Sequence, residues 1–389
     1  MAQVQGQVDD YFVGVKEAFQ KFLDDGEELG ASITVNIDGR NVLDLWGGYS
    51  DESRTKLWEK DTITNVWSTT KTVTSLAALV LIERGQLDPF AKVSSYWPEF
   101  AANGKQDIEV RHFLSHTSGV SGWEKPFVLE DMYDLPTAVA KLAAQAPWWE
   151  PGTASGYHAQ NQGHLVGELV RRVTGKPLKQ FVADEIAGPL GADFQIGAKE
   201  EDWGRVSHVI PPPPLTDRPK LSPDSPAFKT FTGPVADPLA SHTPGWKKAD
   251  MGALNGHANA RSVVRMLSPI SLGGEVDGVR LLSPKTIDLI FQEQSNGVDL
   301  VLGVPLRFGI GFGLTCEPTT PEVLKGRRIC YWGGWGGSLI IMDLDSRMTI
   351  AYMMNKMGAG TLGSPRGWAY VEAIYASLKS ASSAATANI

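Results

Sequence analysis

The two ends of this chain carry the same pair of patterns in opposite order, and this symmetry restricts the folds available to it. Apolar residues at helical spacing over 10–24 are followed by alternating apolar residues over 33–46, which an Asp-Gly turn interrupts. Near the other end, two apolar segments over 338–343 and 348–355, separated by a polar turn, precede a helical apolar stripe over 368–378. A helix–hairpin start and a hairpin–helix end favour one antiparallel sheet, built from both termini and covered by helices.

The middle of the chain has a different pattern. Helical segments over 136–145 and 160–174 are joined by long loops rich in proline and glycine. The segment 210–245 includes four consecutive prolines, and a loop of this length is typical of a functional lid or a disordered linker. We therefore predict an α/β (α+β) fold, an antiparallel sheet flanked by helices with a mainly helical insertion. The predicted domains are a sheet domain formed by 1–87 and 251–389 and an inserted helical domain formed by 88–250.

Length and composition exclude several classes of protein. The 389 residues are enough for two domains with substantial cores. The net charge of −8 gives no electrostatic reason to bind nucleic acid or an anionic membrane. No apolar run approaches the ~20 residues that a membrane span needs, and the first residues lack a secretory signal pattern. We expect a cytoplasmic protein with neither a nucleic-acid nor a membrane partner.

Residues 68–71, Ser-Thr-Thr-Lys, begin the most apolar helical stretch of the chain, over 69–84. On a helix, Ser68 and Lys71 lie on one face, so that the lysine amine can take the proton of the serine hydroxyl. To act as a base Lys71 has to be neutral, and burial would lower its pKa accordingly. The same S-x-x-K spacing at 53–56 lies in a polar segment, which we interpret as a surface loop. The alternative role for Ser68 is that of a helix N-cap.

Two further segments carry possible chemistry. Residues 151–159 read Pro-Gly-Thr-Ala-Ser-Gly-Tyr-His-Ala and place Tyr157 on a loop before a helix, where a phenol can relay a proton. Residues 331–338 read Tyr-Trp-Gly-Gly-Trp-Gly-Gly-Ser and lead into a strand whose edge can offer an N–H group to a ligand oxygen. The alternatives are a tyrosine of the core or rim and a glycine-rich β-bulge.

Other hydrolase motifs are absent from the sequence. The seven histidines form neither an H-E-x-x-H motif nor a zinc triad, and there is no G-x-S-x-G elbow. The two cysteines, Cys316 and Cys330, do not have metal-ligand spacing. The sequence therefore predicts neither a metal ion nor an organic cofactor.

Taken in order, the S-x-x-K tetrad, the Tyr157 loop and the glycine-rich segment 331–338 resemble the motifs of serine β-lactamases and penicillin-binding proteins. The closest resemblance is to family VIII carboxylesterases, the esterase branch related to class C β-lactamases. It extends over roughly residues 25–380 and implies a β-lactamase/transpeptidase-like fold.

The resemblance also implies roles for individual residues. Ser68 would be the nucleophile, Lys71 the general base and Tyr157 the proton relay. The backbone N–H groups of Ser68 and Trp335 would form the oxyanion hole. The residues expected to contact the substrate are Trp332, Gly333, Gly334 and His158.

Two departures from the β-lactamase pattern bear on the substrate. Ala159 stands two places after the tyrosine, where β-lactamases have asparagine, and residues 332–334 are Trp-Gly-Gly where they have Lys-Thr-Gly. Without that lysine and threonine, the cation and hydroxyl that hold the β-lactam carboxylate are missing. A tryptophan at this position favours an apolar or aromatic ester instead.

We therefore predict a serine carboxylesterase that cleaves a small-molecule ester, of small to medium acyl group, through an acyl-enzyme on Ser68. Alternatives with the same chemistry are an acyltransferase that passes the acyl group to an alcohol, and a weak β-lactamase or D-amino peptidase. A catalytically silent binding protein is the alternative from another class, and the intact serine, lysine and tyrosine argue against it. Neither the acyl group nor the oligomeric state follows from the sequence. The pocket is expected to include some of Trp123, Trp148, Trp149, Trp332 and Trp335.

Overall fold

The computed structural model describes residues 2–214 and 220–387. Its strands within these ranges are β1 (Gln5–Val8), β2 (Gly30–Ile37), β3 (Arg40–Gly48), β4 (Thr64–Asn65), β5 (Gln195–Ile196), β6 (Gly256–Ala258), β7 (Glu275–Val276), β8 (Val279–Arg280), β9 (Ser295–Val298), β10 (Pro305–Phe308), β11 (Gly313–Leu314), β12 (Ile329–Gly333), β13 (Leu339–Asp343) and β14 (Met348–Met354). Nine of them form one antiparallel sheet in the order β1-β3-β2-β14-β13-β12-β11-β10-β9.

The helices of the same ranges surround this sheet and fill the middle of the chain. They are α1 (Val13–Asp24), α2 (Thr70–Glu83), α3 (Val110–Leu114), α4 (Leu135–Ala144), α5 (Gln162–Thr174), α6 (Leu178–Val182), α7 (Gly188–Leu190), α8 (Pro226–Thr232), α9 (Pro244–Lys248), α10 (Ala260–Ser271), α11 (Pro284–Ile290) and α12 (Pro365–Ala387). None of them has the length and hydropathy that crossing a bilayer requires.

The two hairpins predicted at the ends of the chain meet in the centre of the sheet. β2 pairs with β14 in antiparallel register, with Val35 opposite Ile350. On one face, Thr349 of β14 hydrogen-bonds to Ser271 of α10, with 2.8 Å between the hydroxyl oxygens. On the other face, Tyr352 packs against Tyr370 of α12, with ring centroids 5.2 Å apart. Helices therefore cover both faces, which explains why the central strands are buried throughout, and the predicted fold class is confirmed.

Helix α2 lies where the sheet region and the helical middle of the chain meet. It packs against α5 and α6 on one side and against α10 and α11 on another. Its residues 70–81 are all buried, as the apolar sequence pattern predicts. The helix ends at Glu83, and Gly85 follows its cap with a φ of +67° that allows Gln86 N–H to reach back to the carbonyl of Leu81 at 2.9 Å.

The proline-rich segment 210–245 is not a loop throughout, so the prediction is wrong in this part. Ser225 and Thr243 cap α8 and α9 by accepting hydrogen bonds from backbone N–H groups, and a proline follows each of them at the first helical position. Proline has no N–H to lose there and its fixed φ suits the first helical turn. Prolines that signal a loop in the sequence therefore begin helices in the structure. Residues 215–219 of the predicted lid lie outside the described residues.

A buried ion pair ties the C-terminal helix to the start of the sheet. Glu28, just before β2, accepts a 2.6 Å hydrogen bond from Nη1 of Arg366 in α12 and another, also 2.6 Å, from Oη of Tyr352 in β14. Glu28 is fully buried and the Arg366 side chain is 7% exposed. Burial raises the pKa of Glu28, and the nearby guanidinium opposes this change.

We expect the Arg366→Ala variant to lose about 3–5 kcal/mol of the free energy of unfolding, because Glu28 would stay buried without its cation. Urea denaturation of the wild type and the variant measures this difference. Arg280→Ala is the control, since it removes a solvent-exposed pair with Glu275 and should cost less than about 1 kcal/mol. Equal losses for both variants would contradict the importance of the buried pair.

Candidate active site

Ser68 lies at the junction between a short 3-10 turn and α2. The turn comprises Trp67–Thr69, and α2 begins at Thr70. Trp67 has φ of +50°, in the left-handed region that a bulky residue seldom adopts. The N-cap residue of α2 is Thr69, so the alternative N-cap role for Ser68 is not seen. The strained turn leaves its hydroxyl available to other groups.

Lys71 directs its amine at Ser68 from the next turn of the helix. Its Nζ lies 3.0 Å from Ser68 Oγ, 2.7 Å from the carbonyl oxygen of Ala159 and 2.9 Å from that of Ala253. None of these contacts within the described residues is to a carboxylate, and Lys71 is 2% exposed. Burial lowers the pKa of Lys71 well below its usual value. The environment therefore favours a neutral amine beside the serine hydroxyl.

Tyr157 completes the group of three side chains. Lys71 Nζ lies 4.9 Å from the centroid of the tyrosine ring, and the nearby Ser68 hydroxyl acts to lower the pKa of the phenol. The indole Nε1–H of Trp332 donates a 2.9 Å hydrogen bond to Tyr157 Oη. Burial raises the pKa of Tyr157, so the phenol is protonated at neutral pH. The structure thus brings Ser68, Lys71 and Tyr157 together, as the sequence motifs predict.

The glycine-rich segment lies directly on the Ser68 turn. Ser338 Oγ donates to the carbonyl of Val66 at 2.9 Å, and a Cβ at Gly334 would lie 2.5 Å from that carbonyl oxygen. Only glycine allows this approach. Within the described residues, neither the Ser68 N–H nor the Trp335 N–H has a hydrogen-bond acceptor. Backbone N–H groups without an acceptor are what an oxyanion hole requires.

His158 does not have the surroundings of a substrate-binding residue, contrary to our expectation. Its ring is fully buried, with Nδ1 donating to the carbonyl of Gly156 at 2.7 Å and Nε2 lying 2.6 Å from Ser118 Oγ. Burial lowers the pKa of His158 to about 3, so the ring is neutral. Because both ring nitrogens have partners within the protein, His158 helps to fix the loop that carries Tyr157.

His116 is a site residue that the sequence analysis missed. Its ring centroid lies 4.9 Å from that of Tyr157, and its Nδ1 accepts a 3.0 Å hydrogen bond from the backbone N–H of His158. Burial lowers the pKa of His116, with His158 and Lys71 adding to the effect. The ring therefore acts as a neutral support for the tyrosine loop. His116 was considered, with the other six histidines, only as a possible metal ligand.

Of the tryptophans expected to line the pocket, the structure places Trp332 beside Tyr157 and Trp123 away from it. Trp123 lies in the core of the helical region, where it stacks on Phe127 with ring centroids 4.4 Å apart. Trp332 belongs to a separate apolar cluster around Tyr157. Its partly exposed members are Leu302, Val304 and Leu362, and its buried members are Tyr157, Ala159, Val301, Leu306, Phe308 and Trp332. No cluster of three or more His, Cys, Asp or Glu suited to a metal ion occurs in the described ranges.

An antiparallel sheet flanked by helices, with Ser-x-x-Lys at the start of a buried helix, is the arrangement of β-lactamase/transpeptidase-like proteins. The profile of the Beta-lactamase family matches residues 15–373, and this chain belongs to that family. The resemblance found in the motifs is therefore confirmed.

Individual relatives cover nearly the whole chain. The Esterase/beta-lactamase LipL of Mycobacterium tuberculosis is 32% identical over 91% of this chain and 83% of its own length. A crystal structure of a family VIII carboxylesterase is 36% identical with a TM-score of 0.90, covering 96% of this chain and 100% of that one. A penicillin-binding protein homologue from Caulobacter crescentus is 34% identical with a TM-score of 0.88, at the same coverage.

We expect Lys71 to make folding stability depend on pH. Its pKa is lower in the folded than in the unfolded state, so the unfolded chain binds the extra proton between these two pKa values. The free energy of unfolding of the wild type should therefore rise with pH in this window relative to Lys71→Met, by up to about 1.4 kcal/mol per pH unit. Urea denaturation at pH 7 and pH 9 measures this difference.

The matched control is Lys60→Met, which removes an exposed lysine and should leave the pH dependence of the wild type unchanged. Parallel pH profiles for wild type and Lys71→Met would show that Lys71 is charged in the folded protein.

Proposed function

We propose that this protein is a serine carboxylesterase that forms an acyl-enzyme on Ser68. The observation that carries the proposal is the set of three contacts made by the Lys71 amine. A neutral amine has two N–H groups and one lone pair. The carbonyls of Ala159 and Ala253 accept both N–H groups, which leaves the lone pair for the O–H of Ser68. A general base is thereby oriented on its nucleophile.

The reaction would proceed in two steps. Ser68 Oγ attacks the ester carbonyl while Lys71 takes the hydroxyl proton, and the N–H groups of Ser68 and Trp335 bind the oxyanion. The bond between the acyl carbon and the alcohol oxygen then breaks. Tyr157 Oη gives its proton to the leaving oxygen and is reprotonated by Lys71. In the second step a water molecule gives a proton to Lys71 or Tyr157 and attacks the acyl carbon. The bond from the acyl carbon to Ser68 Oγ breaks, the same proton returns to Ser68, and the acid is released.

The surroundings of Tyr157 favour an ester over a β-lactam as substrate. Trp332 occupies the position of the lysine that holds the β-lactam carboxylate in the related enzymes, and its one N–H group is already bonded to Tyr157. The cluster with Leu302, Val304 and Leu362 adds apolar surface rather than charge. An uncharged, apolar acyl or alcohol group suits this wall better than a carboxylate does.

Two relatives support the same reading. The structure that is 36% identical is a family VIII carboxylesterase, and the M. tuberculosis relative is named an esterase as well as a β-lactamase. Because both cover more than nine-tenths of this chain, the likeness includes the regions that hold Ser68, Lys71 and Tyr157.

We expect Ser68→Ala to reduce kcat/KM for p-nitrophenyl butyrate by at least about 10³-fold, because the variant has no nucleophile. Steady-state hydrolysis measures the loss, and circular dichroism verifies the fold. Ser53→Ala is the control, since it removes the serine of the exposed S-x-x-K copy and should retain wild-type activity. Retention of about a tenth of the activity by Ser68→Ala would exclude Ser68 as the nucleophile.

We expect kcat/KM for p-nitrophenyl butyrate to exceed that for nitrocefin by at least about 100-fold, because the carboxylate of the β-lactam finds no cation at Trp332. Colorimetric assays of both compounds give the ratio, and intact mass after rapid acid quenching shows the butyryl adduct. Comparable turnover of nitrocefin would assign the protein to the β-lactamases. Added alcohols that divert the butyryl group from water would instead indicate an acyltransferase.

A further inference from the structure

The turn between β9 and β10 lies against the loop that carries Tyr157. Leu300 N–H donates to the carbonyl of Ser155 at 2.8 Å, so the two loops are joined through their backbones. Within the turn, Asp299 N–H donates to the carbonyl of Val304 at 3.0 Å. Val301 of the same turn is a buried member of the apolar cluster around Tyr157. The turn is thus an element of the site, although its sequence carries no catalytic motif.

Asp299 connects this turn to Tyr157 itself. Its Oδ1 accepts three backbone hydrogen bonds, from Tyr157 N–H at 3.0 Å, from Val301 N–H at 2.9 Å and from Leu302 N–H at 2.9 Å. The residue is fully buried, and its Oδ2 has no hydrogen-bond partner within the described part of the chain. A carboxylate placed this way satisfies three N–H groups that would otherwise lack acceptors, two of them in the buried residues Tyr157 and Val301.

Tyr157 depends on such contacts because its segment has no helix or strand to hold it. Regular structure begins only at Gln162, the first residue of α5. The phenol oxygen is held from one side by Trp332 Nε1 at 2.9 Å. The backbone of the same residue is held by Asp299, which lies 142 residues away in sequence. Both ends of Tyr157 are therefore positioned by residues of the sheet region.

We propose that Asp299 is a positioning residue for Tyr157, acting through the hydrogen bond from the Tyr157 backbone N–H to Oδ1. The inference rests on the proposed function, in which the Tyr157 phenol moves protons between Ser68, Lys71 and the leaving alcohol. The bond holds the loop at a fixed distance from α2 and so keeps the phenol within reach of Ser68. The negative charge also adds to burial in raising the pKa of Tyr157, which favours the protonated phenol.

Two substitutions at this position separate the bond to Tyr157 from the stability of the turn. Asp299→Asn keeps an amide oxygen at the place of Oδ1 and puts NH₂ at the place of the unpartnered Oδ2. Asp299→Ser keeps a hydroxyl that can cap Val301 and Leu302 in the turn but is too short to reach Tyr157. The first variant preserves the proposed link, and the second removes it.

We expect kcat for p-nitrophenyl butyrate to fall on the order of 10²-fold in Asp299→Ser, with KM within about threefold of wild type, because a displaced phenol impairs the chemical step. Asp299→Asn should restore kcat to within about threefold of wild type. Pre-steady-state release of p-nitrophenol shows whether acylation is the slowed step. Thermal melts establish that each variant is folded at the assay temperature.

Asp343→Ser is the matched control. Asp343 is also fully buried and accepts a turn N–H, that of Ser346 at 3.1 Å, but it lies at the end of β13 opposite the site. This variant should lower the melting temperature and leave kcat within about threefold of wild type.

The outcomes are distinct. Wild-type kcat in Asp299→Ser would overturn the proposal, and so would equally large losses in the Ser and Asn variants, since the hydrogen bond would then not be what matters. Failure of the wild type to form a butyryl adduct on Ser68 would instead overturn the proposed function, whatever the Asp299 variants do.

Discussion

The arrangement of this protein depends on one lysine amine that is kept out of water. Lys71 contacts Ser68 on its own helix, the carbonyl of Ala159 in the tyrosine loop and the carbonyl of Ala253 in the segment that returns to the sheet. Keeping an isolated charge at such a place would be costly, whereas a neutral amine with both hydrogens accepted is tolerated. The same contacts join three parts of the chain and set the protonation state that the proposed chemistry needs.

Helix α2 makes this burial possible. Its first three turns are buried on all sides, because helices of the middle segment pack on one side and helices that cover the sheet pack on the other. The glycine-rich segment closes the remaining side at the start of the helix, where a side chain at Gly334 would collide with Val66. Ser68 therefore lies where the helices of the middle segment, the helices that cover the sheet and the glycine-rich segment meet. All three contact the region of its strained turn.

Trp332 gives the site a different electrostatic character from one that has a lysine at this position. An indole N–H holds the Tyr157 oxygen by a hydrogen bond but adds no positive charge. A cation there would stabilise the phenolate and lower the pKa of Tyr157, whereas burial raises it in this protein. In the proposed reaction the protonated phenol donates to the leaving alkoxide, and the uncharged wall suits an apolar group. One substitution in the third motif thus bears on both proton transfer and substrate.

Local sequence patterns determined the elements of this fold and part of its site. Alternation predicted the first central hairpin, apolar segments around a polar turn predicted the second, and helical spacing predicted α1, α2 and α12. The three-residue spacing of Ser68 and Lys71 already placed them on one face, because these are contacts between near neighbours. The proline-rich pattern of 210–245 predicted a loop where α8 and α9 form. Proline interrupts a helix in its interior but also begins one at its first position.

Only the tertiary structure decided which groups surround that pair. Three residues reach the site from distant parts of the sequence. His116 lies 42 residues from its hydrogen-bond partner His158, and Ala253 lies 182 residues from Lys71. Asp299 lies 142 residues from Tyr157. The lowered pKa of Lys71 and the enclosure of His158 follow from burial, which no short stretch of sequence specifies. The periodicity of a segment predicts which of its side chains share one face. The desolvation of a side chain depends on which distant segments pack around it in the folded protein.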